Sequence, residues 1–159
     1  MAQDAELWCE SAKRLAKQKK YEEAIMHFNR AIALKPKYKE AYYEKGNVLL
    51  LLGKSDEALD CFNSAVLIDS SYVEAWRNKE AVHLVRGDYD EAIKCADQII
   101  ALAPDDYKLW LDKGSLLLRL HRFRESVECF DKVLALKPNF QEAITKKQEA
   151  LQHIEKVVV

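Results

Sequence analysis

The sequence predicts an all-α protein built as a stack of repeated helical hairpins, and three observations carry that expectation. Trp76 and Trp110 lie 34 residues apart, and Trp8 precedes Trp76 by two such periods, with Tyr42 in the slot between. The glycines and prolines fall on three positions of the same period: Gly46 with Gly114, Gly53 with Gly87, and Pro36 with Pro104 and Pro138, Ser70 standing in the missing proline slot. Four glycines and three prolines in 159 residues are also too few for the many turns of a β-rich chain. The strict apolar–polar alternation of a half-buried strand is not found.

The period frames four units, residues 5–38, 39–72, 73–106 and 107–140. Each first half carries an aromatic residue or its equivalent at the fourth position and apolar residues one helical turn apart, which predicts an amphipathic helix. In three units a small residue follows four positions later, as Ala12, Gly46 and Gly114. A short break follows, marked by Gly53-Lys54 and Gly87-Asp88. The second half opens with carboxylates, Glu22-Glu23, Asp56-Glu57, Asp90-Glu91 and Glu125, which suit the positive end of a helix dipole. Apolar residues then recur at helical spacing, as in Ala24, Phe28 and Ala31 or Ala58, Phe62 and Ala65. Ser71 with Glu74 and Asp88 with Glu91 have the spacing of capping boxes. Neither helix of such a unit can bury its apolar stripe alone, so successive hairpins must stack.

This pattern resembles the tetratricopeptide repeat (TPR), whose signature runs aromatic-x2-Leu-Gly-x2-Tyr, then Ala-x3-Phe, Ala and Pro. The resemblance covers residues 5–140 and implies an α-solenoid of stacked antiparallel hairpins wound as a right-handed superhelix. The departures are local. Ser11, Lys45, Lys79 and Lys113 occupy the leucine slot, a change that suits a solvated edge. The third unit has Glu80 for the glycine and Ala96 for the phenylalanine, with Ile99 in place of the next small residue. Residues 141–156 read as a truncated fifth start, with Glu142, Ala143 and Ile144 opening it and Leu151 and Ile154 continuing it, and so as a capping helix. The tail 157–159 is Val157-Val158-Val159.

Composition narrows the function classes. Net charge is −1, giving no overall attraction to nucleic acid or anionic membrane. The start of the chain lacks the basic and apolar segments of a signal peptide, and the aliphatic run Val48–Leu52 is far short of the roughly 20 residues that span a bilayer. A soluble, cytoplasmic protein is expected. The basic residues Lys13, Arg14, Lys17, Lys19 and Lys20 have no interleaved aromatic platform and read as a solvated face, not a nucleic-acid site.

Cys61, Cys95 and Cys129 recur at one slot, with His27 in the first unit. Packed helices lie about 8–10 Å apart, whereas a disulfide needs Cα atoms within about 7 Å and zinc needs converging ligands. These are read as buried packing residues, and no metal or other cofactor is expected. No GxSxG, GxGxxG or P-loop motif occurs, so no enzyme activity is expected.

By resemblance to the family, the first helices line a concave groove that takes a peptide segment or a partner helix, making the protein an interaction scaffold or adaptor. The residues mapped to that groove are Tyr43, Asn47, Arg77, Asn78, Lys108, Leu111, Asp112 and Ser115. Cys9, Leu50, Leu84 and Leu118 fall on the same inner positions, and Tyr43, Leu50, Leu84 and Leu111 are expected to supply pockets. Some relatives clamp a C-terminal carboxylate with two asparagines and three cations. Here Asn47, Asn78 and Lys108 take clamp positions, but Tyr43 and Asp112 stand where two cations belong, so the clamp is not expected. The asparagines instead suit the backbone of an extended peptide, and the acidic residues favour basic or neutral side chains. The alternative reading is self-assembly into homo-oligomers through the capping helix, the end repeats and Val157–Val159.

Overall fold

Four breaks in the helical pattern recur at one slot of the period, and each is built by the same backbone device. The computed structural model describes residues 2–157, apart from the side chains at 2 and 157. The helices are α1 (Ala2–Lys17), α2 (Tyr21–Leu34), α3 (Lys39–Leu51), α4 (Ser55–Ile68), α5 (Val73–Arg86), α6 (Tyr89–Leu102), α7 (Tyr107–Arg119), α8 (Phe123–Leu136) and α9 (Gln141–Val157). Each of α1, α3, α5 and α7 ends in a left-handed residue: Lys19, Gly53, Gly87 or His121, with φ of 61°, 73°, 79° and 59°. The following amide donates back to the last helical turn, Lys20 to Leu15, Lys54 to Leu49, Asp88 to His83 and Arg122 to Leu117, at 2.9–3.0 Å. This is a Schellman closure, and glycine suits it because a side chain at positive φ is strained. Only two of the four turns use glycine, so the other two were not legible as turns.

The chain divides into two compact units, Met1–Cys95 and Ala96–Val159, with the boundary inside α6. In the first, α1 packs against α2, α2 against α3, α3 against α4 and α4 against α5. Its core runs through Cys9, Ala12, Ala24, Phe28, Ala31, Ala41 and Val48, then Leu49, Ala58, Cys61, Phe62 and Val82. In the second, α7 packs against α8 and α8 against α9, around Leu118, Phe130, Val133, Ala143 and Ala150. Among the described residues there is no strand, and no helix is long and apolar enough to cross a membrane.

The signature residues have direct structural reasons. Gly46 lies against the Phe62 ring, where an added Cβ would come within 2.6 Å of Cε1. Gly114 lies the same way against Phe130, at 2.8 Å, and beside the Cys129 Cβ at 3.0 Å. Both pairs are 16 residues apart, and the third repeat lacks both members, with Glu80 and Ala96. The tryptophans fasten the loops: Trp76 Nε1 donates to the Ser70 carbonyl and Trp110 Nε1 to the Pro104 carbonyl, each at 2.9 Å.

Two local expectations are corrected. Ser71 does not cap α5. The cap residue is Tyr72, and the Ser71 hydroxyl and amide both donate to Asp69 Oδ1, at 2.6 and 2.9 Å. Nor is the leucine slot a freely solvated edge. Lys113 is largely buried and bonded to Asp97, while Lys79 lies 4.4 Å over the Trp76 ring. Lys147 on α9 pairs with Asp131 at 2.5 Å, in the same relation that Lys113 has to Asp97. α9 thus packs as a further first helix. Val158 and Val159, invoked for self-assembly, lie outside the described residues.

Candidate functional site

The first unit brings together the two asparagines assigned to the groove. Asn47 on α3 and Asn78 on α5 are both half-buried, and Asn78 Nδ2 donates to Asn47 Oδ1 at 2.6 Å. They stand 31 residues apart because the chain advances one period while the contact moves back by about one helical turn. Lys13 and Glu44 have the same separation in the preceding pair of repeats, and there the two charges attract. The inner-face slot therefore holds two opposite charges that attract without forming an ion pair in one interval, and an amide pair in the next. The amide pair leaves Asn47 Nδ2 as a donor and Asn78 Oδ1 as an acceptor. Among the described residues no buried side-chain nitrogen or oxygen lacks a partner, so neither of these two groups is shut away from solvent unpaired.

One turn towards the helix starts, Tyr43 sits between two other rings, 5.2 Å from Tyr72 and 6.0 Å from Phe62. Tyr72 was not among the expected site residues. Burial, followed by the proximity of Tyr43, Glu40, Glu74 and Glu44, pushes its hydroxyl pKa upward. Lys39 lies 5.0 Å over the Tyr72 ring and bonds Asp69 at 2.5 Å, with Glu40 at 3.9 Å. That bond, with the Ser71 hydroxyl and amide, pulls Asp69 down to about 2. Among the described residues Glu44, Glu74 and the exposed Arg77 form no ion pair.

One turn in the other direction the surface is apolar. Leu50, Ala81, Val82 and Val85 line a hollow of about 200 Å³, with Ser55 and Arg86 at its rim. Val85 is 90% exposed, and Leu51 and Leu84 also present apolar surface to solvent. Arg86 is held by Asp56 at 2.5 Å and Asp88 at 3.1 Å, so its charge is matched at the rim. Leu50 was expected as a pocket residue, whereas Val82, Ser55 and Arg86 were not. The signal that could have found Val82 is the position one turn beyond Asn78 on α5, whereas Arg86 lies a further turn on and Ser55 opens α4.

The second unit holds the remaining assigned residues on α7. Lys108 and Asp112 are exposed, and Leu111 and Ser115 are half-buried. Leu111 packs against the core cluster of that unit. Leu118, also on the inner-face list, is a buried core residue, as is Cys9 in the first unit. These two positions are corrected from groove to core.

The periodic cysteines are free and buried, as is Cys9. Burial pushes the Cys95 and Cys129 thiols up to about 11 and raises Cys9 and Cys61. The fourth residue of the slot, His27, receives or gives a hydrogen bond with the Ser11 hydroxyl at 3.1 Å and meets the Trp8 ring edge-on at 4.8 Å. Among the described residues no three His, Cys, Asp or Glu side chains gather as metal ligands would.

A comparison with curated proteins gives no match. Against family profiles, residues 12–53 match the TPR repeat, and residues 40–72 and 80–152 match profiles of the tetratricopeptide repeat. Among solved structures, the crystal structure of MamA protein is similar over 98% of this chain and 91% of its own, with 16% identity and a TM-score of 0.70. MamA 41-end from Desulfovibrio magneticus RS-1 is 21% identical over 98% of this chain and 93% of its own, with a TM-score of 0.67. YrrB, described as a TPR protein with an unusual peptide-binding site, is 20% identical over 93% of this chain and 76% of its own, with a TM-score of 0.68. At these identities the structures share the fold alone, an all-α helical repeat of the kind generally used as a protein-interaction scaffold. By its repeat profiles and its fold, the chain belongs to the tetratricopeptide repeat proteins.

Proposed function

We propose that this protein is a non-catalytic interaction scaffold that binds a peptide segment of a partner along α3 and α5. The observation that carries this reading is the Asn47–Asn78 amide pair. A peptide group has one N–H donor and one C=O acceptor. Asn78 Oδ1 can accept the first while Asn47 Nδ2 donates to the second. The mutual bond fixes both side-chain orientations before binding, which lowers the ordering cost of recognition. Each amide hydrogen bond contributes about 0.5–1.5 kcal/mol net, so the pair anchors a backbone without demanding a particular side chain. The peptide-binding site described for YrrB, on the same fold, is consistent with this use.

The test is selection from a random dodecapeptide library on the immobilised full chain, followed by titration of the enriched peptides against an Asn47→Ala/Asn78→Ala variant. Two lost backbone bonds correspond to about a tenfold or greater loss of affinity. Far-UV circular dichroism and a melting curve establish that the variant is folded. Enriched peptides that bind the folded variant as tightly as the wild type overturn the assignment.

A further inference from the structure

The two flanks of the asparagine pair differ in chemistry, and that difference specifies the ligand. This inference rests on the peptide-binding reading above and deepens it. On the Tyr43 side, four carboxylates surround the ring pair: Glu40, Glu44, Asp69 and Glu74. Lys39 is already engaged with Asp69 and Glu40, and Lys13, which attracts Glu44, is bonded to Glu10 at 3.0 Å. Glu44 and Glu74 are left with no ion pair among the described residues, beside two aromatic rings of which one already carries a lysine ammonium. That surrounding attracts a cation by charge and through the ring faces. On the other side the Leu50, Ala81, Val82 and Val85 hollow is apolar, and its rim cation Arg86 is matched by Asp56 and Asp88. Its volume of about 200 Å³ exceeds the roughly 150 Å³ that holds a benzene ring in an engineered cavity, so it has room for one aliphatic or aromatic side chain.

The spacing follows from helix geometry. Glu44 to Leu51, or Tyr43 to Leu50, is seven residues along α3, or about 10 Å at 1.5 Å per residue. An extended peptide covers about 3.3 Å per residue, so the same distance corresponds to about three residues. We infer that this face recognises an extended segment bearing a lysine or arginine and, three residues away, a large apolar side chain, with the asparagine pair holding the backbone between them. Glu44 and Glu74 select the basic residue, and Leu50, Ala81, Val82 and Val85 receive the apolar one. An anionic segment is disfavoured, because it would meet the Glu44 and Glu74 carboxylates against the single exposed guanidinium of Arg77.

Capped decapeptides of glycine, alanine and serine carrying one lysine and one leucine test this. The two are placed three residues apart in either order, with controls spaced one and six apart. They are titrated into 15N-labelled full-length protein while the side-chain amide signals of Asn47 and Asn78 are followed. One of the two three-spaced orders should bind best, losing at least fivefold in affinity when lysine becomes glutamate or leucine becomes serine. The lysine-to-glutamate difference should shrink as salt rises, because the carboxylates are partly solvated. The Glu44→Lys/Glu74→Lys variant should invert the charge preference while its melting curve remains cooperative. If the amide signals shift equally with lysine and glutamate peptides, or the charge swap leaves the preference unchanged, the motif inference falls while the peptide-binding reading stands. If no peptide moves either signal, both fall.

Discussion

Gly114→Ala tests whether the repeat's signature glycine is there for close packing. Two effects oppose each other. Alanine is favoured over glycine inside a helix by about 1 kcal/mol, so in an empty environment the change would stabilise α7. The environment is not empty: the new methyl carbon would lie 2.8 Å from Phe130 Cε1, 3.1 Å from its Cδ1 and 3.0 Å from the Cys129 Cβ. Phe130 is fully buried and Cys129 nearly so, and a Cβ cannot move without its helix. Overpacking of this kind costs about 1–3 kcal/mol, and three close contacts to rigid groups belong in the upper part of that range. The first repeat has Ala12 and Phe28 at the same two slots, so the helices can part enough to admit a methyl, which limits the cost. The expected net effect is a loss of about 1–2 kcal/mol, or about 2–8 °C in melting temperature for a chain of this size.

A double-mutant cycle isolates the cause. Phe130→Leu leaves a smaller, more flexible side chain opposite the glycine and is itself destabilising. In that background Gly114→Ala should cost at least about 1 kcal/mol less, with the Cys129 Cβ contact remaining, which is the coupling expected between the two sites. Urea denaturation of the four proteins, with m-values compared, reads this directly. A Gly114→Ala variant that melts at or above the wild type, or costs the same in both backgrounds, refutes the packing explanation.

Two further outcomes follow from the turns and the thiols. Lys19 is exposed at φ 61°, in the slot where Gly53 and Gly87 stand in later repeats, so Lys19→Gly should relieve strain of about 1 kcal/mol and raise the urea midpoint; a lowered midpoint contradicts the strain argument. Burial holds Cys95 and Cys129 at about 11 against an ordinary 9.0, which lowers their thiolate fraction at pH 8 about a hundredfold. Iodoacetamide followed by peptide mass spectrometry should therefore label both far more slowly in native protein than in urea, and equal rates would show that the thiols are accessible.

The period made the fold legible because its fixed slots answer to backbone and packing needs that every repeat shares. The glycine against the phenylalanine ring, the tryptophan indole on a loop carbonyl and the left-handed turn each recur at a constant offset, so one sequence contains several copies of the evidence. Lys19 and His121 show where that legibility stopped: the slot demands a conformation, and any residue able to bear the strain can fill it. Ser71 shows another limit. Its spacing to Glu74 suited a cap, but Asp69, two residues earlier, competes for both its donors.

The candidate site was legible only as a set of positions, because contacts there depend on the offset between neighbouring repeats as well as on the period. Asn47 and Asn78 meet because 31 separates them, just as Lys13 and Glu44 are brought within range of one another. Counting by 34 aligns Asn47 with Lys13 and Ala81, residues it never needs to resemble. Counting by 31 pairs it with the residue it touches. The same offset shows why an amide pair here is informative about function. A fold that needed only a filled slot could use opposite charges, as the preceding interval does with Lys13 and Glu44. Two amides bonded once to each other keep one donor and one acceptor unused, and those are the groups that the proposed peptide backbone would engage.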